Sequence, residues 1–549
     1  MNDVLNMPKS WVQATISDLG RVVSGGTPST KENSYWGGNI SWISPSDLTG
    51  YSNKHIIKGA KSITQDGLKN SSAAIMPAGS IHFSSRAPIG YTVISSTDMT
   101  TNQGFKSLVP AQGVFNEYIY YYFKSAKQLA ESKATGTTFK EISGAAFSKL
   151  PVPLPPTNEQ HRIVAKIEEL FSELDKGIEN LKTAQAQLKV YRQALLKHAF
   201  EGKLTAQWRA ERHAKQSVAP AKAGAQPLND MDSRPTPSRG LALRGNDEVE
   251  GGNDKPLESA DTLLKRIQQE RAQRYQQQLA DWEASGKQGS KPKPPKSLPP
   301  LTAEELAELP ELPEGWGWFL MGDVCLESIL GKMLDKEKNK GELKPYLRNI
   351  NVRWGKFSLD NLLEMRFEES EYVRFGLKDG DLVICEGGEP GRCAVWRKEL
   401  GQDMQIQKAL HRVRFTDSMN SSFVQMYFEL CASNRRLEKM FTGTTIKHLT
   451  GEKLARMAVP ICSINEQARI LLALESKFSE ADQLDQTITT ALQQAEALRQ
   501  SILKKAFSGR LVPQDPNDEP ASELLARIRA ERDAPSAKPK LTNTTRKSL

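Results

Sequence analysis

The sequence lacks the features that mark secreted and membrane-spanning proteins. Its 549 residues contain only five cysteines, all in the second half, and no two have the Cys-x-x-Cys spacing of a zinc or redox site. Such an odd, unpatterned set favours reduced thiols in the cytosol. No run approaches the roughly 18 apolar residues of a membrane span, and residues 1–10 lack the continuous apolar stretch of a signal peptide. We therefore expect a soluble, cytoplasmic protein.

Catalytic motifs are also missing from the sequence. The glycine-rich stretch near Gly25 has no glycine beside its lysine, as a phosphate-binding loop requires, and the glycines near Gly391 lack dinucleotide-binding spacing. The Asn/Asp-Pro-Pro-aromatic element with which amino-methyltransferases hold a flipped base is absent. The seven histidines include no His-Glu-x-x-His pair, and His198 fits a surface or packing role better than a metal-ligand role. We expect no catalysis, cofactor or metal in this chain, although counting carboxylates leaves a nuclease cluster open.

What the chain does have is a modest excess of positive charge. Lysine and arginine number 74 against 65 aspartates and glutamates, which gives a net charge of +9. This balance suits a polyanionic partner without requiring one, because many soluble proteins are mildly basic. The length predicts two or three domains.

The strongest signal is an internal repeat at a constant offset of 307 residues. Gly136 and the two threonines after it recur at Gly443, and the match runs without a gap from Asn158 to Leu204. Chance does not keep one register for so long. The protein is therefore predicted to consist of two related halves.

Each copy of the repeat contains a long amphipathic segment. Apolar residues recur at intervals of three and four through residues 156–204 and again through 462–511, which predicts two long helices. At about 1.5 Å per residue, some 43 helical residues would extend roughly 65 Å, too far for one small domain. We expect the two helices to pair as a coiled coil, parallel or antiparallel. The alternative is two separate amphipathic helices on separate cores.

The ends of these helices also have sequence signals. Asn158 and Asn465 are predicted N-caps, because a short side-chain oxygen can accept an unpaired backbone N–H there. Gly202 and Gly509 stand where each helix should stop.

The remaining segments are predicted from composition. Short β-rich runs between Gly, Pro and Asn turns predict a mixed α/β or mainly β globular domain before each long helix. The predicted order is globular domain 1–155, helix 156–204, flexible low-complexity linker 205–257, polar helix with a Pro- and Lys-rich linker 258–309, globular domain 310–461, helix 462–511, and C-terminal helix with a basic tail 512–549. The fold class is therefore α+β with a pseudo-two-fold internal repeat.

The order of these elements resembles the specificity subunit of type I restriction-modification enzymes, over nearly the whole chain. A Pro-x-x-Trp opening, a variable domain, Gly-Thr-Thr, Val-Pro, Asn-Glu-Gln and a long helix ending Ala-Phe-x-Gly-[Lys/Arg]-Leu all occur twice, starting at Pro8 and Pro313. The resemblance implies two target recognition domains that read a bipartite double-stranded DNA site, with the helices as spacer and docking surface. It also implies two methyltransferase subunits and restriction/translocase subunits as partners. S-adenosylmethionine, ATP and Mg are then expected on those partners, none in this chain.

Candidate DNA-binding residues are polar side chains clustered beside turns, because Lys and Arg contact phosphates and polar groups contact base edges. In the first half they are Ser84, Ser85, Arg86, Thr100, Asn102, Gln103, Lys106, Thr137, Thr138 and Lys140. In the second half they are Glu386, Arg392, Gln405, Gln407, Lys408, Thr444, Thr445, Lys447 and His448. Each could instead be a solvated loop residue or turn former, and the recurring Gly-Thr-Thr could hold shared backbone geometry or a phosphate.

Two other functions compete with DNA reading. One is a fused methyltransferase or nuclease, which the missing motifs disfavour. The other is a structural adaptor of two protein-binding domains on a coiled coil, which salt-sensitive binding to duplex DNA would distinguish.

Overall fold

The chain folds into two compact units. The computed structural model describes residues 7–136, 140–217, 258–287, 290–333, 340–401 and 403–533. The first unit takes its residues from 1–183 and 488–549, and the second from 184–487. Each unit therefore combines one predicted globular domain with part of both long helices. No helix in the described ranges combines the length and hydrophobicity that a bilayer crossing requires.

The described residues of the first half, up to Phe200, form ten strands and five α-helices. They are β1 Val12–Thr15, β2 Gly20–Ser24, β3 Trp36–Ile43, β4 His55–Ile56, β5 Lys61–Ile63, α1 Gln65–Lys69, β6 Ile81–Ser84, β7 Thr92–Ser95, β8 Thr100–Thr101, β9 Phe105–Pro110, α2 Asn116–Ser125, α3 Lys127–Lys133, α4 Gly144–Ser148, β10 Pro151–Leu154 and the long helix α5 Thr157–Phe200. The strands form a five-stranded sheet β2-β9-β6-β7-β4, a three-stranded sheet β5-β3-β8 and the antiparallel pair β1-β10.

The second half repeats this plan with changes. Its elements are α6 Ala206–Ser217, α7 Ala260–Ala284, α8 Ala303–Ala307, β11 Gly317–Leu320, α9 Met321–Val324, β12 Cys325–Leu330, β13 Glu342–Leu347, β14 Val352–Arg353, β15 Lys356–Phe357, β16 Leu363–Phe367, α10 Glu369–Phe375, β17 Leu382–Cys385, β18 Cys393–Val395, β19 Gln405–Ile406, β20 Leu410–Phe415, α11 Ser421–Ser433, α12 Gly451–Ala455, β21 Ala458–Ile461, the long helix α13 Ile464–Phe507 and α14 Ala521–Asp533. The sheets are β12-β20-β17-β18, β16-β13-β19, β14-β15 and β11-β21. The predicted mixed fold with two long helices is confirmed.

The long helices pack against each other in antiparallel orientation. In the second unit Arg192 contacts Asp482 at 2.5 Å and Gln185 contacts Asp485 at 3.1 Å. Residue numbers that increase along α5 are therefore paired with residue numbers that decrease along α13. In the first unit the equivalent residues, Arg499 and Asp175, form the same ion pair. The predicted pairing of α5 with α13 is therefore present, and the two helices are antiparallel.

The helix ends confirm one expectation and correct another. Gly202 and Gly509 follow the last helical residues with φ of +67° and +71°, the left-handed conformation of a helix stop. The N-cap prediction is wrong, because α5 begins at Thr157 and α13 at Ile464, one residue before the asparagines. At the start of α13, Ser463 Oγ instead accepts the backbone N–H of Glu466 at 3.3 Å.

Part of the segment predicted to be a flexible linker is helical. Helix α6 is held to the second unit because the Arg209 guanidinium contacts the Glu466 carboxylate and lies over the Trp316 ring, 5.9 Å from its centroid. Residues 218–257 of the predicted linker lie outside the described residues.

The two shorter polar helices pack on globular domains. Helix α7, which coincides with the predicted polar helix, buries Leu263 and Ile267 in the core of the second domain. Helix α14, at the other end of the sequence, buries Leu524 and Ile528 in the core of the first domain. Each domain core thus includes one short polar helix, which is α7 for the second domain and α14 for the first.

Replacing the glycine at a helix stop should destabilise the first unit. A Cβ on Gly509 would lie 2.4 Å from Pro8 Cγ, and its positive φ disfavours any side chain. We expect Gly509→Ala to lower the free energy of unfolding by about 1–3 kcal/mol. Gly177→Ala is the matched control, because that exposed helical glycine has open space around its Cβ position. It should raise stability by about 0.5–1 kcal/mol. Urea unfolding would measure both, and equal signs would contradict the argument.

Candidate nucleic-acid interface

Three loops that are distant in sequence meet at one edge of the first domain. They are the β6–β7 turn, the β8–β9 turn and the loop that carries Gly-Thr-Thr. The backbone N–H of Ser85 donates to Gly104 O at 2.7 Å, and the N–H of Ile142 donates to Ser85 O at 3.0 Å. The β6–β7 turn is therefore the centre on which the other two loops rest. We call these three loops the reading edge of the first domain.

The second domain has a reading edge built by the same backbone contacts. Glu386 N–H donates to Ala409 O at 2.9 Å, and Leu449 N–H donates to Glu386 O at 2.8 Å. These bonds join the β17–β18 turn, the β19–β20 turn and the second Gly-Thr-Thr loop. Because Glu386 takes the place of Ser85, one backbone frame carries different side chains in the two domains.

Several predicted DNA-binding residues of the first domain are buried. Ser84 and Ser85 have no exposed surface, and Ser84 Oγ donates to Pro88 O at 2.7 Å. Thr100 is also fully buried, with its hydroxyl on Ser41 O at 2.8 Å. In the free protein these side chains shape the turns from inside. Their proposed contact with DNA stays a prediction.

A small ionic cluster joins the Gly-Thr-Thr loop to the other two loops. Glu141 lies 3.4 Å from the Arg86 guanidinium and 3.5 Å from the Lys106 ammonium. Lys106 itself is only 6% exposed and also donates to Gln103 O at 3.2 Å. The carboxylate therefore holds two cations at the reading edge, of which Arg86 is the more accessible.

The other predicted residues of the first domain lie near this cluster. Asn102 Oδ1 accepts the N–H of Gly104 at 2.7 Å, which fixes the β8–β9 turn. Gln103 is exposed and accepts from the Thr27 hydroxyl, and Lys140 is exposed. Thr137 and Thr138 lie outside the described residues.

In the second domain the predicted residues divide in the same way. Gln405 is 2% exposed and lies inside the domain, whereas Gln407 is half-buried. Arg392 donates to Glu389 at 2.5 Å and to Asn349 O at 2.8 Å, so its guanidinium is held within the β17–β18 turn. The exposed members of the predicted set are Lys408, Thr444, Thr445 and Lys447.

A histidine and a glutamate replace the first domain's ionic cluster. His448 Nδ1 lies 3.8 Å from Glu386 Oε1, where the first domain has Glu141 and Ser85. Below them His411 is buried, and its Nε2 is 2.7 Å from Leu449 O. Burial lowers the pKa of His411, so at neutral pH a neutral imidazole can donate to that carbonyl. The base of the second Gly-Thr-Thr loop is thus fixed without a buried charge.

Sequence reasoning missed two residues of the second reading edge. Ile446, within the Gly-Thr-Thr loop, is 65% exposed. The sequence contains a signal for this residue, because an apolar side chain stands between two threonines and a lysine in a predicted loop. Asn349 contacts Gly387 and Arg392 from the β13–β14 connection. No local pattern could reveal it, because it is brought to the edge by tertiary folding.

The described residues of the reading edges offer hydrogen-bond donors, acceptors and cations. Among the described residues, no group of three or more His, Cys, Asp or Glu could hold a metal ion. The five cysteines are buried and unpaired by disulfides, and burial raises the pKa of the Cys385 thiol to about 11.

Comparison with known proteins finds similarity to one kind of protein. Residues 8–183 match the type I restriction modification DNA specificity domain. The chain is 40% identical over 200 residues to the MjaIX type I restriction enzyme specificity subunit of Methanocaldococcus jannaschii, covering 36% of this chain and 45% of that protein. It is 24% identical over 446 residues to the EcoKI specificity subunit of Escherichia coli K12, covering 78% of this chain and 75% of that protein.

A solved structure shows the same fold. A chain from a study of complex assembly and conformational transition of the type I R-M system superposes with a TM-score of 0.57 at 17% identity, covering 92% of this chain and 99% of that one. The alignment with the MjaIX subunit spans slightly less than half of that protein, whereas the EcoKI alignment spans both halves of the repeat. These likenesses, together with the duplicated domain and helix, make the chain similar to type I restriction-modification specificity subunits, and residues 8–183 match their DNA specificity domain.

Proposed function

We propose that this chain is the DNA-reading subunit of a type I restriction-modification complex and has no turnover of its own. Each globular domain reads one half of a bipartite, asymmetric target, and the paired helices set the gap between the halves. The observation that carries the proposal is the shared loop frame, in which Ser85 and Glu386 occupy one backbone position with different chemistry. A common frame with divergent side chains is what two readers of unlike half-sites need.

The exposed residues of each reading edge are the proposed DNA contacts. They are Gln103 and Lys140 in the first domain and Lys408 and Lys447 in the second, together with the half-buried Arg86, which would exchange Glu141 for a phosphate or base. Cations positioned this way contact phosphates, whereas Arg and Gln can also bond base edges in the major groove.

The second Gly-Thr-Thr loop adds a different kind of contact. Thr444 and Thr445 offer hydroxyl groups, and the exposed Ile446 can contact a thymine methyl group. The predicted residues buried inside each domain would support these loops from below.

Methylation and cleavage then belong to partner subunits. Two methyltransferase subunits would bind S-adenosylmethionine and flip the target adenine, and restriction/translocase subunits would use ATP and Mg. The exposed charges of α5 and α13 and the Ala-Phe-x-Gly ends are candidate docking positions. The cytoplasmic location expected from the sequence belongs to the same proposal.

Exchange of one domain tests the bipartite reading. The chain would be expressed with its neighbouring methyltransferase, and modified adenines would be mapped across the host genome. We expect a split motif with a fixed gap. Replacing residues 1–155 by the corresponding block of another family member should change one half of that motif and leave the gap and the other half unchanged.

Two outcomes would contradict this proposal. Methylation that does not depend on this chain would remove its role in choosing the site, and alteration of both halves by one exchange would remove the modular reading. A structural adaptor would show neither a methylated motif nor salt-sensitive binding to duplex DNA.

A further inference from the structure

An acidic segment lies against basic side chains of the second domain. We define the strap as residues 298–310, which include α8 and lead into the start of that domain. Arg456 donates to Pro299 O at 2.5 Å and to Glu305 Oε1 at 2.6 Å. Lys439 Nζ lies 3.2 Å from Glu308 Oε2. The strap thus brings carboxylates to cations that belong to another part of the unit.

Further contacts fix the path of the strap. Arg436 donates to Glu308 O at 3.3 Å, and Trp318 Nε1 donates to Pro310 O at 3.0 Å. The backbone N–H of Thr302 and the Arg456 guanidinium hold the pKa of Glu305 below its ordinary value. The carboxylate is therefore charged at neutral pH and acts as a counter-ion for Arg456.

Arg436 and Lys439 lie on a turn that packs against the second reading edge, and Arg456 follows that edge in sequence. Leu437, between Arg436 and Lys439 in sequence, packs so closely on Gly391 of the β17–β18 turn that a Cβ there would come within 2.7 Å of it. Lys439 is followed four residues later by Gly443, where the Gly-Thr-Thr loop begins. Arg456 ends the helix α12 that follows the same loop. DNA held at the reading edge would therefore have these cations at its flank.

One contact with the strap is easily exchanged for another. The Lys439 and Glu308 side chains are 76% and 73% exposed, and exposed ion pairs are weak and screened by salt, whereas the Arg456 and Glu305 side chains are 27% and 43% exposed. A duplex presents regularly spaced phosphates and releases counter-ions when cations neutralise them. A phosphate backbone can therefore compete with the strap for the same side chains.

Two members of this cation cluster occur in the second domain alone. At the repeat offset, the first domain has Leu129 in place of Arg436 and Ser132 in place of Lys439, whereas Arg456 corresponds to another cation, Lys149. A role common to both domains, such as holding the shared fold, does not account for side chains that one copy lacks.

We propose that Arg436, Lys439 and Arg456 form a second phosphate-binding surface for duplex DNA, which the acidic strap occupies in the free protein. DNA must displace Glu305 and Glu308 to use it. The strap thereby weakens binding to arbitrary sequence, where no base contacts offset the displacement. This inference rests on the proposed function, since it assumes that the adjacent edge binds DNA.

Neutralising the strap tests the proposal. The full-length double variant Glu305→Gln/Glu308→Gln would be titrated by fluorescence anisotropy with a labelled 30-base-pair duplex lacking the methylated motif, at several salt concentrations. We expect about three- to tenfold tighter binding at low salt, and a salt slope steeper by about 2, since each phosphate contact contributes about 0.9. Adding Lys439→Gln/Arg456→Gln, which removes the two cations that the variant frees, should remove the gain.

The matched control is Glu311→Gln/Glu314→Gln. These exposed glutamates follow the strap directly, and the change in net charge is the same. The control should change affinity by less than about twofold, because it alters long-range attraction without freeing the cations. If the double variant is unstable, the single variant Glu308→Gln can be titrated in the same way. It frees only Lys439, so we expect a smaller gain in affinity.

The outcomes separate this proposal from the proposed function. If strap and control variants bind equally, or if the strap variant loses thermal stability without binding more tightly, the strap only fastens the domain and the inference is wrong. If wild-type protein shows no salt-sensitive binding to any duplex and no methylated motif, the proposed function itself fails.

Discussion

Seven residues inserted into both long helices should lengthen the gap in the recognised DNA and abolish binding to the original target. Helices α5 and α13 run through the boundary between the two units, which falls after Thr183 and Thr487. Seven residues make nearly two full helical turns, so the insertion nearly preserves the face that each helix presents to the other. The insertion lengthens each helix by about 10 Å. That distance corresponds to up to about three base pairs of duplex DNA. Because specific binding exceeds non-specific binding by about a thousandfold or more, loss of one half-site should reduce affinity to near the non-specific level.

The measurement is the methylated motif of cells that express the variant with its methyltransferase. We expect both half-sites to be unchanged and only the gap to grow, with DNA twist limiting the increase. The control is the same heptad inserted after Ser290, an exposed residue between α7 and α8. That insertion lengthens the chain without lengthening either long helix, so its gap should stay as in the wild type. An unchanged gap in the helix variant would show that the helices do not set the spacing.

The helical part of the fold was predictable because its signals are periodic and duplicated. The orientation of the helix pair was left open, although the sequence contained the necessary information. In a parallel pair at the same register, Asp175 would face Asp482 and Arg192 would face Arg499. The antiparallel pair places each aspartate against an arginine. Charge complementarity between the copies therefore decides the orientation, and comparing the two repeats for it would have given the answer.

The reading edges were predictable as regions but not residue by residue. Turn signals located the loops correctly, because Gly, Pro and Asn mark turns locally. They could not show that Thr100 and Gln405 point inward, since the strands β8 and β19 are only two residues long and offer no alternation to read. They also could not reveal Glu141 as the partner of two cations, because that contact depends on loops meeting in three dimensions.

Removal of one buried carboxylate should destabilise the second unit strongly. Glu466 is 2% exposed, and its carboxylate accepts from Trp316 Nε1 at 3.0 Å, from the Thr205 hydroxyl at 2.6 Å and from Arg209. Arg209 lies in α6, Thr205 immediately precedes α6, and Trp316 immediately precedes β11 of the second domain. Glu466→Ala would leave the largely buried Arg209 charge without its partner. We expect a loss of about 3–5 kcal/mol in unfolding free energy, as for other broken buried ion pairs.

Hydrogen exchange would localise the effect, because local opening reports the stability of the segment that opens. Amides of α6 and of the start of α13 should exchange faster in Glu466→Ala, whereas β1 and β10 of the first unit should keep their wild-type protection. Equal loss of protection in both units would contradict a local role. Unchanged protection of α6 would show that Arg209 finds another partner.

The equivalent glutamate of the first unit provides the matched control. Glu159 is 1% exposed and accepts from the neutral donors Trp11 Nε1 at 3.0 Å and Gln514 Nε2 at 2.6 Å. Burial raises its pKa above the ordinary value despite these hydrogen bonds. A carboxyl whose pKa is raised by folding favours the folded state most below its unfolded pKa, and this contribution is lost as pH rises through the folded pKa.

Glu159→Gln should therefore cost only about 1 kcal/mol at low pH, where the wild-type group is protonated. The deficit should shrink or reverse toward neutral pH, because the neutral amide avoids the penalty of burying a charge. Glu466→Gln should not recover in this way, since the neutral amide leaves the largely buried Arg209 guanidinium without its carboxylate partner. Urea unfolding of both variants between about pH 4 and 8 would compare them, within the span of ordinary carboxyl and histidine titration. A Glu159→Gln deficit that grows with pH would contradict the assignment, because it would mean that the folded unit favours the ionised carboxylate.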